Sequence, residues 1–423
     1  MNNHGYSQAI LSKIIEAGGQ LKSYKMAARM LKTLAEVEIS DQHVRRLTDA
    51  LGKELAAQRD RRVEDYVHHR RVEPAGEVPE AVAVALDGAR MQTREPCPGQ
   101  GPGVFGEGWK EDKVACLHEL KGPSFSADPQ PEPPRKFLDA ALVDAMVREF
   151  HAQRGSNANW PEMPQATTTQ SNAVNNESSD ETSADDDRDK PAWPPQRAQR
   201  SCVATMQNSE AFGKMVAAEA HARNFYAAPR RGFLADGQHY NWTIQQKWFK
   251  DFEPIADFIH PLSYLYAAAT AASVDSAERW SLYVAWMTSC WQGRVSVVVE
   301  QLHTHAERLG PVPPDEELPA TDPRAVVRRA ITYLENNAPR MDYPRYRQMG
   351  LPVTSAAVES LIKEINYRVK GTEKFWNQPE QAEAILQVRA ALLCDDKRLA
   401  KHLDNRPGSP YRRAKTGETR QAA

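Results

Sequence analysis

Asp87 closes the run AVAVALDG, Asp236 closes RGFLADG, and Glu359 lies within SAAVESLIKEINYRVKG. Two Asp at the ends of β-like runs and one Glu on a helix-like run are residue types that can gather hard divalent cations. Mg²⁺ takes oxygen ligands in octahedral geometry, usually one or two carboxylates completed by water and substrate phosphate oxygens. Two such ions about 3.5–4 Å apart activate an attacking oxygen and stabilise a leaving one, which is the chemistry of cutting a phosphodiester. Each acid also has a plainer reading. Asp-Gly between strand-like runs is a hairpin-turn signal, and Glu359 and Lys363 have the four-residue spacing of a surface ion pair on a helix.

The surroundings of the acids narrow the choice. Five blocks follow one another: ALDGARMQTR at 85–94, LADGQHYNW at 234–242, ADFIH at 256–260, RMDYPRYRQMGLPVTSAAVES at 340–360, and RVKGTEKFWNQPEQAEAILQVRAALL at 368–393. Together they resemble the DDE transposases of bacterial insertion sequences, and within these the Kra-type group. One departure is visible: that group often reads Gly-Ser-Gly or similar before the Val-Glu, where this chain has Thr354-Ser355-Ala356-Ala357. The change falls on the helix entry rather than on a metal ligand.

The resemblance implies an RNase H-like catalytic domain in which Asp87, Asp236 and Glu359 are both catalytic acids and metal ligands, holding two Mg²⁺ (or Mn²⁺) ions. It implies double-stranded DNA as partner, both transposon ends and target. Water and then a DNA 3′-hydroxyl would be the attacking groups. Asp257-Phe-Ile-His260 matches an Asp/Cys-x-x-His element, giving Asp257 and His260 a supporting or DNA-contact role. Two other readings stay open: a nuclease of the same fold without strand transfer, and a DNA-binding regulator derived from a transposase. Because two ends must be brought together, a homodimer or higher oligomer on DNA is expected.

Positive charge is placed as a DNA-binding chain would need it. Lys363, Arg368, Lys370, Lys374 and Trp376 fall just after Glu359, a set suited to the DNA backbone. Residues 1–71 hold thirteen Lys/Arg against nine Asp/Glu, and residues 398–423, with Arg412 and Arg413, hold seven against two. The segment EISDQHVRRLTDALGKEL resembles the second half of a helix-turn-helix, with Ser40 or Asp41 as N-cap and Arg45 and Arg46 reaching phosphates or base edges. A plain helical bundle with solvated charges fits the same pattern.

The elements that must position these residues alternate between β and α periods. AVAVALDGARMQTR leads through a Gly-rich excursion into KEDKVACLHELKG, as a strand, a loop and an antiparallel partner. SEAFGKMVAAEAHARNF reads as a helix, RRGFLADG as a short buried strand, and FEPIADFIHPLSYLYAAATAA as a strand running into a helix. The expected fold class is α/β: an RNase H-like mixed sheet flanked by helices, interrupted by an all-helical insertion and preceded by a helical, helix-turn-helix-like region. The expected units are 1–72 (helical, DNA-binding), 73–150 (first catalytic part), 151–200 (acidic low-complexity insertion), 201–261 (second catalytic part), 262–345 (helical insertion), 346–395 (third catalytic part, with the Glu helix) and 396–423 (basic tail). Trp280, Trp286 and Trp291 are expected in the core of the helical insertion.

Composition sets the outer limits. At 423 residues the chain exceeds one comfortable core, and 41% hydrophobic content supports folded units. Twenty-nine prolines and a mean hydropathy of −0.65 point to unpacked linker. The stretch from Asn157 to Arg200 is poor in apolar residues and has seven acids within 177–189, so disorder is expected there. No apolar run of about 18 residues occurs, nor a leader-like start. A cytoplasmic, nucleoid-associated bacterial protein with no membrane partner is expected. Five scattered cysteines without a CxxC argue for buried free thiols over a disulfide framework.

Overall fold

The structure is a computed structural model; it describes residues 6–70, 74, 76–96, 105–154, 193–311, 318–371, 374–376 and 379–406. The acidic run at 177–189, Cys97, Arg412 and Arg413 lie outside the described residues.

Three helices open the chain: α1 (Gln8–Gln20), α2 (Tyr24–Ala35) and α3 (Asp41–Val67). Each begins on a serine whose hydroxyl accepts a backbone N–H, satisfying one of the otherwise unpaired first-turn donors. Ser7 takes Ile10, Ser23 takes Met26 and Ser40 takes His43. Ser40 is thus the cap of the Arg45-bearing helix.

Strand β1 (Ala81–Pro96) runs antiparallel to β2 (Phe105–Lys121) along its whole length, in the register Asp87↔Val114. The Asp-Gly step is therefore mid-strand, and the hairpin-turn reading of Asp87 is corrected: ladder pairing with β2 past this step holds the backbone extended. After α4 (Ala140–Arg154) comes β3 (Gln196–Thr205), which pairs antiparallel with β2. Its first five residues fall inside the stretch expected to be disordered. That expectation fails for 196–200, because the ladder to β2 satisfies a backbone whose side chains are mostly polar.

The chain continues through α5 (Ser209–Ala222), β4 (Arg230–Ala235), α6 (His239–Trp248), β5 (Glu253–Ala256) and α7 (Ile259–Ala272). β4 is parallel to β1, and β5 parallel to β4, giving one five-stranded mixed sheet in the order β3-β2-β1-β4-β5. The fold is α/β, a mixed sheet flanked by helices, as expected at that level.

Helices α8 (Ser276–Trp291), α9 (Val295–Leu309), α10 (Pro323–Asn337) and α11 (Tyr343–Gln348) fill the interval between the sheet and Glu359. Trp286 and Trp291 are buried among them, and Trp280 stacks partly buried on Tyr283. The fully buried Arg347 clamps this unit to the segment after β2, donating twice to Asp128 and once to the Trp291 carbonyl. Then follow α12 (Ala356–Val369), α13 (Pro379–Leu393) and α14 (Arg398–Asn405).

The N-terminal helices dock on α13 and α14. Leu11, Ile15, Leu51 and Leu55 share a core with Val388, Ala391, Leu399 and Leu403. At Gly52 the backbones of α3 and α13 come so close that a Cβ would strike the Ala384 carbonyl. Cys116, Cys202, Cys290 and Cys394 are buried free thiols, as expected. No helix among the described residues is long and apolar enough to cross a membrane.

Candidate active site at the carboxyl ends of the parallel strands

Register places the acids. Ala85 of β1 pairs with Leu234 of β4, and Leu234 with Ile255 of β5. Two residues further along each chain stand Asp87, Asp236 and Asp257. Neighbouring strands lie about 4.8 Å apart, so three Asp form a row across the sheet where open α/β sheets usually bind their ligands. The Asp257 N–H donates to the Ala235 carbonyl (3.0 Å), extending the ladder one step to the level of the row. The sequence itself holds the signal for the third member: Leu86-Asp87, Ala235-Asp236 and Ala256-Asp257 each end a buried apolar run with Asp.

Asp236 is buried, and its Oδ1 accepts from Gln238 N (3.0 Å) and Asn241 Nδ2 (2.9 Å), which fixes the start of α6 against the strand. Tyr240, one residue earlier on α6, is close to both Asp87 and Asp236. Burial and then the charges of Glu111, Asp236 and Asp87 push its phenol up. Asp87 is half-buried, with Oδ1 accepting from Gly88 N at 2.7 Å.

Glu359 arrives from above the sheet. α12 packs on β1 and β2, and Glu359 lies in its first turn. Ser355 joins it to the row. The Ser355 hydroxyl is 2.7 Å from Asp257 Oδ2 and 3.2 Å from Glu359 Oε1, while Ser355 N donates to Asp257 Oδ1 (2.8 Å). One hydroxyl proton serves only one of two carboxyls, so both contacts are hydrogen bonds only if one carboxyl is itself protonated. Asp257 has the environment for that: burial, and then the charge of Glu359, push it up to about 7 against the opposing Ser355 hydrogen bonds. His260 Nε2 lies 3.4 Å from Asp257 Oδ2, and both side chains are buried. Asp257 and His260 accordingly face the protein and not a DNA surface. Ser355 was passed over because it appeared only as a departure from the expected helix entry.

Among the described residues, no group of three or more His, Cys, Asp or Glu side chains stands as a site that could hold a metal ion. The donors around the row are nonetheless carboxylate oxygens, the class that suits Mg²⁺ or Mn²⁺. Asp112 on β2 is also buried. Burial pushes it up to about 7, against the nearby Lys370 charge.

The residues expected to hold DNA divide sharply. Lys363 and Lys370 are exposed on α12 and at its end, and Arg46 is exposed on α3. Arg368 is buried: its Nε donates to the Gly18 carbonyl (2.8 Å) and its guanidinium lies over the Tyr24 ring. Trp376 is buried too, donating from Nε1 to Val369 O, while its backbone pairs with Gln92 and Arg94. Lys374 spends two donors on the carbonyls of Lys22 and Arg368, and burial, then Arg368 and Lys22, lower it to about 8. These three residues are corrected from DNA contacts to struts between α12, β1 and the N-terminal helices. Arg45 leans on α13 through Gln381 Oε1 (2.9 Å). The aromatics that do face solvent here are Trp109, with Lys370 Nζ 5.7 Å from its ring, and Tyr367, with Lys22 Nζ at 4.9 Å. Sequence reasoning chose Trp376 because it stood in the cation-rich block after Glu359, whereas exposure follows the ladder and the helix face.

Compared with known proteins, the chain matches no protein-family model and no curated protein.

Proposed function

We propose that this protein is a DNA transposase with an RNase H-like core, cutting and joining DNA at the ends of an insertion sequence. One observation carries the reading: register sets Asp87 and Asp236 side by side just past the end of the parallel β1–β4 pairing, and α12 with Ser355 hangs Glu359 over the same region. The sheet order β3-β2-β1-β4-β5, three strands antiparallel and two parallel, suits that core. The order of the acids along the chain matches the resemblance read from the sequence.

In this reading Asp87, Asp236 and Glu359 would hold two Mg²⁺ or Mn²⁺ ions, which when bound activate the attacking oxygen and offset charge on the leaving one. The protein's own groups do the rest. Asp257 and Ser355 would fix where the Glu359 carboxyl sits. Exposed Lys363 and Lys370 would contact phosphates of the bound DNA, with Arg46 extending the basic surface on α3. Exposed Trp109 and Tyr367 offer ring faces to bases. Two copies on two ends would form the working assembly.

The test uses purified protein, Mg²⁺ and labelled duplex carrying the DNA that flanks the gene. Asp87→Asn, Asp236→Asn and Glu359→Gln should each abolish cleavage while leaving DNA binding within a few-fold of wild type. Cleavage persisting in all three would place the chemistry elsewhere.

A further inference from the structure

Three of the buried thiols stand together. Cys116 of β2 and Cys202 of β3 are directly opposite in the antiparallel ladder, so their side chains share a face of the sheet with Cβ atoms about 4.5–5.5 Å apart. β3 is an edge strand. The residues that follow α13 run along that edge and close it: Asp395 N donates to the Arg200 carbonyl (3.0 Å), the Asp395 carboxylate accepts from Arg200 N (2.8 Å), and Cys394 Sγ accepts from Cys202 N (3.2 Å). Cys394 therefore lies against Cys202, and the two thiols are hydrogen-bonded to each other.

The three sulfurs differ in chemistry. Cys116 Sγ is 3.0 Å from His118 Nε2, and burial lowers that imidazole to about 4, so at neutral pH the uncharged ring accepts from the thiol. Burial pushes the Cys116 thiol up to about 12 and the Cys202 thiol well above its usual range. Cys394 goes the other way. The hydrogen bond with the Cys202 thiol, backed by the Arg398 charge and the Cys202 amide, holds it below the ordinary thiol range despite burial. A thiolate is the nucleophilic form of cysteine, so the pair joins one sulfur suited to attack with a second suited to resolve the product. Solvent has a way in. A cavity of about 50 Å³ reaches Cys202 between α3, α5 and α13, lined also by Val63, Met215, Ala390 and Arg398. Gln58, which lines it too, is exposed, so the cavity opens outward. A water needs only about 10–15 Å³ of such space, and hydrogen peroxide is little larger.

We propose that Cys202 and Cys394 are a peroxide-sensitive thiol pair that closes reversibly into a disulfide, fastening the end of α13 to the edge of the sheet. The Cys394 thiolate attacks one oxygen of hydrogen peroxide: an S–O bond forms, the O–O bond breaks, and the hydroxide that leaves takes up the proton Cys394 had released, leaving a sulfenic acid. The Cys202 sulfur then attacks the Cys394 sulfur. An S–S bond forms, the S–O bond breaks, and a second water departs with the Cys202 proton. Two thiols are oxidised and one peroxide is reduced to two waters; a dithiol reverses the change by exchange. The N-terminal helices dock on α13 through Val388 and Ala391, so the bond would tie their seat to the sheet. No residue of the carboxylate row takes part.

Reduced full-length protein is treated with equimolar hydrogen peroxide, alkylated in denaturant and mapped as non-reduced peptides. Cys202 and Cys394 should be found linked, and dithiothreitol should release the link. The oxidised protein should melt above the reduced one, because a cross-link restricts the unfolded chain. Cys202→Ala should leave a sulfenic acid at Cys394 that dimedone traps, Cys394→Ala should give neither link nor trapping at Cys202, and Cys116→Ala should link as wild type does. Should a variant fail to fold, the wild-type map alone decides. Cysteines that all remain alkylatable after peroxide, a link through Cys97 or Cys116 in place of Cys202–Cys394, linkage no faster than in urea-unfolded chain, or an oxidised protein that melts below the reduced one would each overturn the proposal.

Discussion

Ser355 sets the local chemistry of Glu359 with a single hydroxyl. Replacing it by Ala removes a hydroxyl that touches both the Asp257 and Glu359 side chains and leaves Asp257 with its backbone donors and the nearby His260 ring. Loss of a residue that orients a metal-binding carboxylate typically costs about 10–100-fold in activity or metal affinity. Ser355→Ala should fall in that range in a single-turnover cleavage assay, with the far-ultraviolet circular dichroism unchanged, and Ser355→Thr should restore most of the rate. Cleavage by Ser355→Ala at the wild-type rate would remove the Asp257–Ser355 link from the mechanism. At this scale the sequence was a partial guide. The identities of Asp87, Asp236 and Glu359 stood out because each closes or punctuates a patterned run. Whether a cation meets solvent did not, since Arg368 and Lys370 are two residues apart on one helix end and only the face each occupies separates a buried strut from an exposed charge.

Elements were read well where apolar runs are short and bounded, and badly where pairing decides. β4, β5, α5 and α7 follow from RRGFLADG, FEPIADF and the helical runs around them. β3 begins among Gln and Arg residues whose side chains are mostly exposed, so neither hydrophobic period nor propensity marks its start. Asp87-Gly88 has the composition of a turn, yet lies in the middle of a strand because β2 pairs past it. The crossing of α3 and α13 was equally invisible, since it depends on one absent side chain. Gly52→Ala tests it. In an exposed helix interior this change stabilises by about 1 kcal/mol. Here the added methyl meets backbone, and overpacking of that kind costs about 1–3 kcal/mol. Denaturant titration should show Gly52→Ala less stable than wild type; a gain in stability would mean the two helices separate at low cost.

For the whole molecule, the N-terminal helices are built into the body that carries the carboxylate row. Besides the shared apolar core, Arg62 of α3 reaches the buried Glu219 carboxylate of α5 (2.8 Å), and Arg398 at the start of α14 meets the same group. These guanidiniums hold Glu219 far below the usual carboxylate range despite its burial. Removing residues 1–72 would uncover Val388 and Leu392 and strip one cation from Glu219, so the truncated protein should aggregate or melt without a sharp transition. End recognition by this region is better probed with Arg46→Ala, which leaves the fold alone. If Arg46 holds a phosphate, the slope of log binding constant against log salt should fall by about 0.9, with weakening similar on end and random DNA. An unchanged slope would place the contacts on another surface.

Glu359 and Arg368 are nine residues apart on α12, about 14 Å along its axis, and the far one is hooked to the Gly18 carbonyl of α1. A rod fastened this way transmits displacement in both directions. Whatever factor a ligand at Glu359 gains from the seating of the first helices, that seating must gain from the ligand, because such coupling is reciprocal. Under the function proposed above, seating of the first helices and ligand affinity at Glu359 would be two readings of one equilibrium, and a substitution at the Gly18 hook would shift both together without touching the ligand.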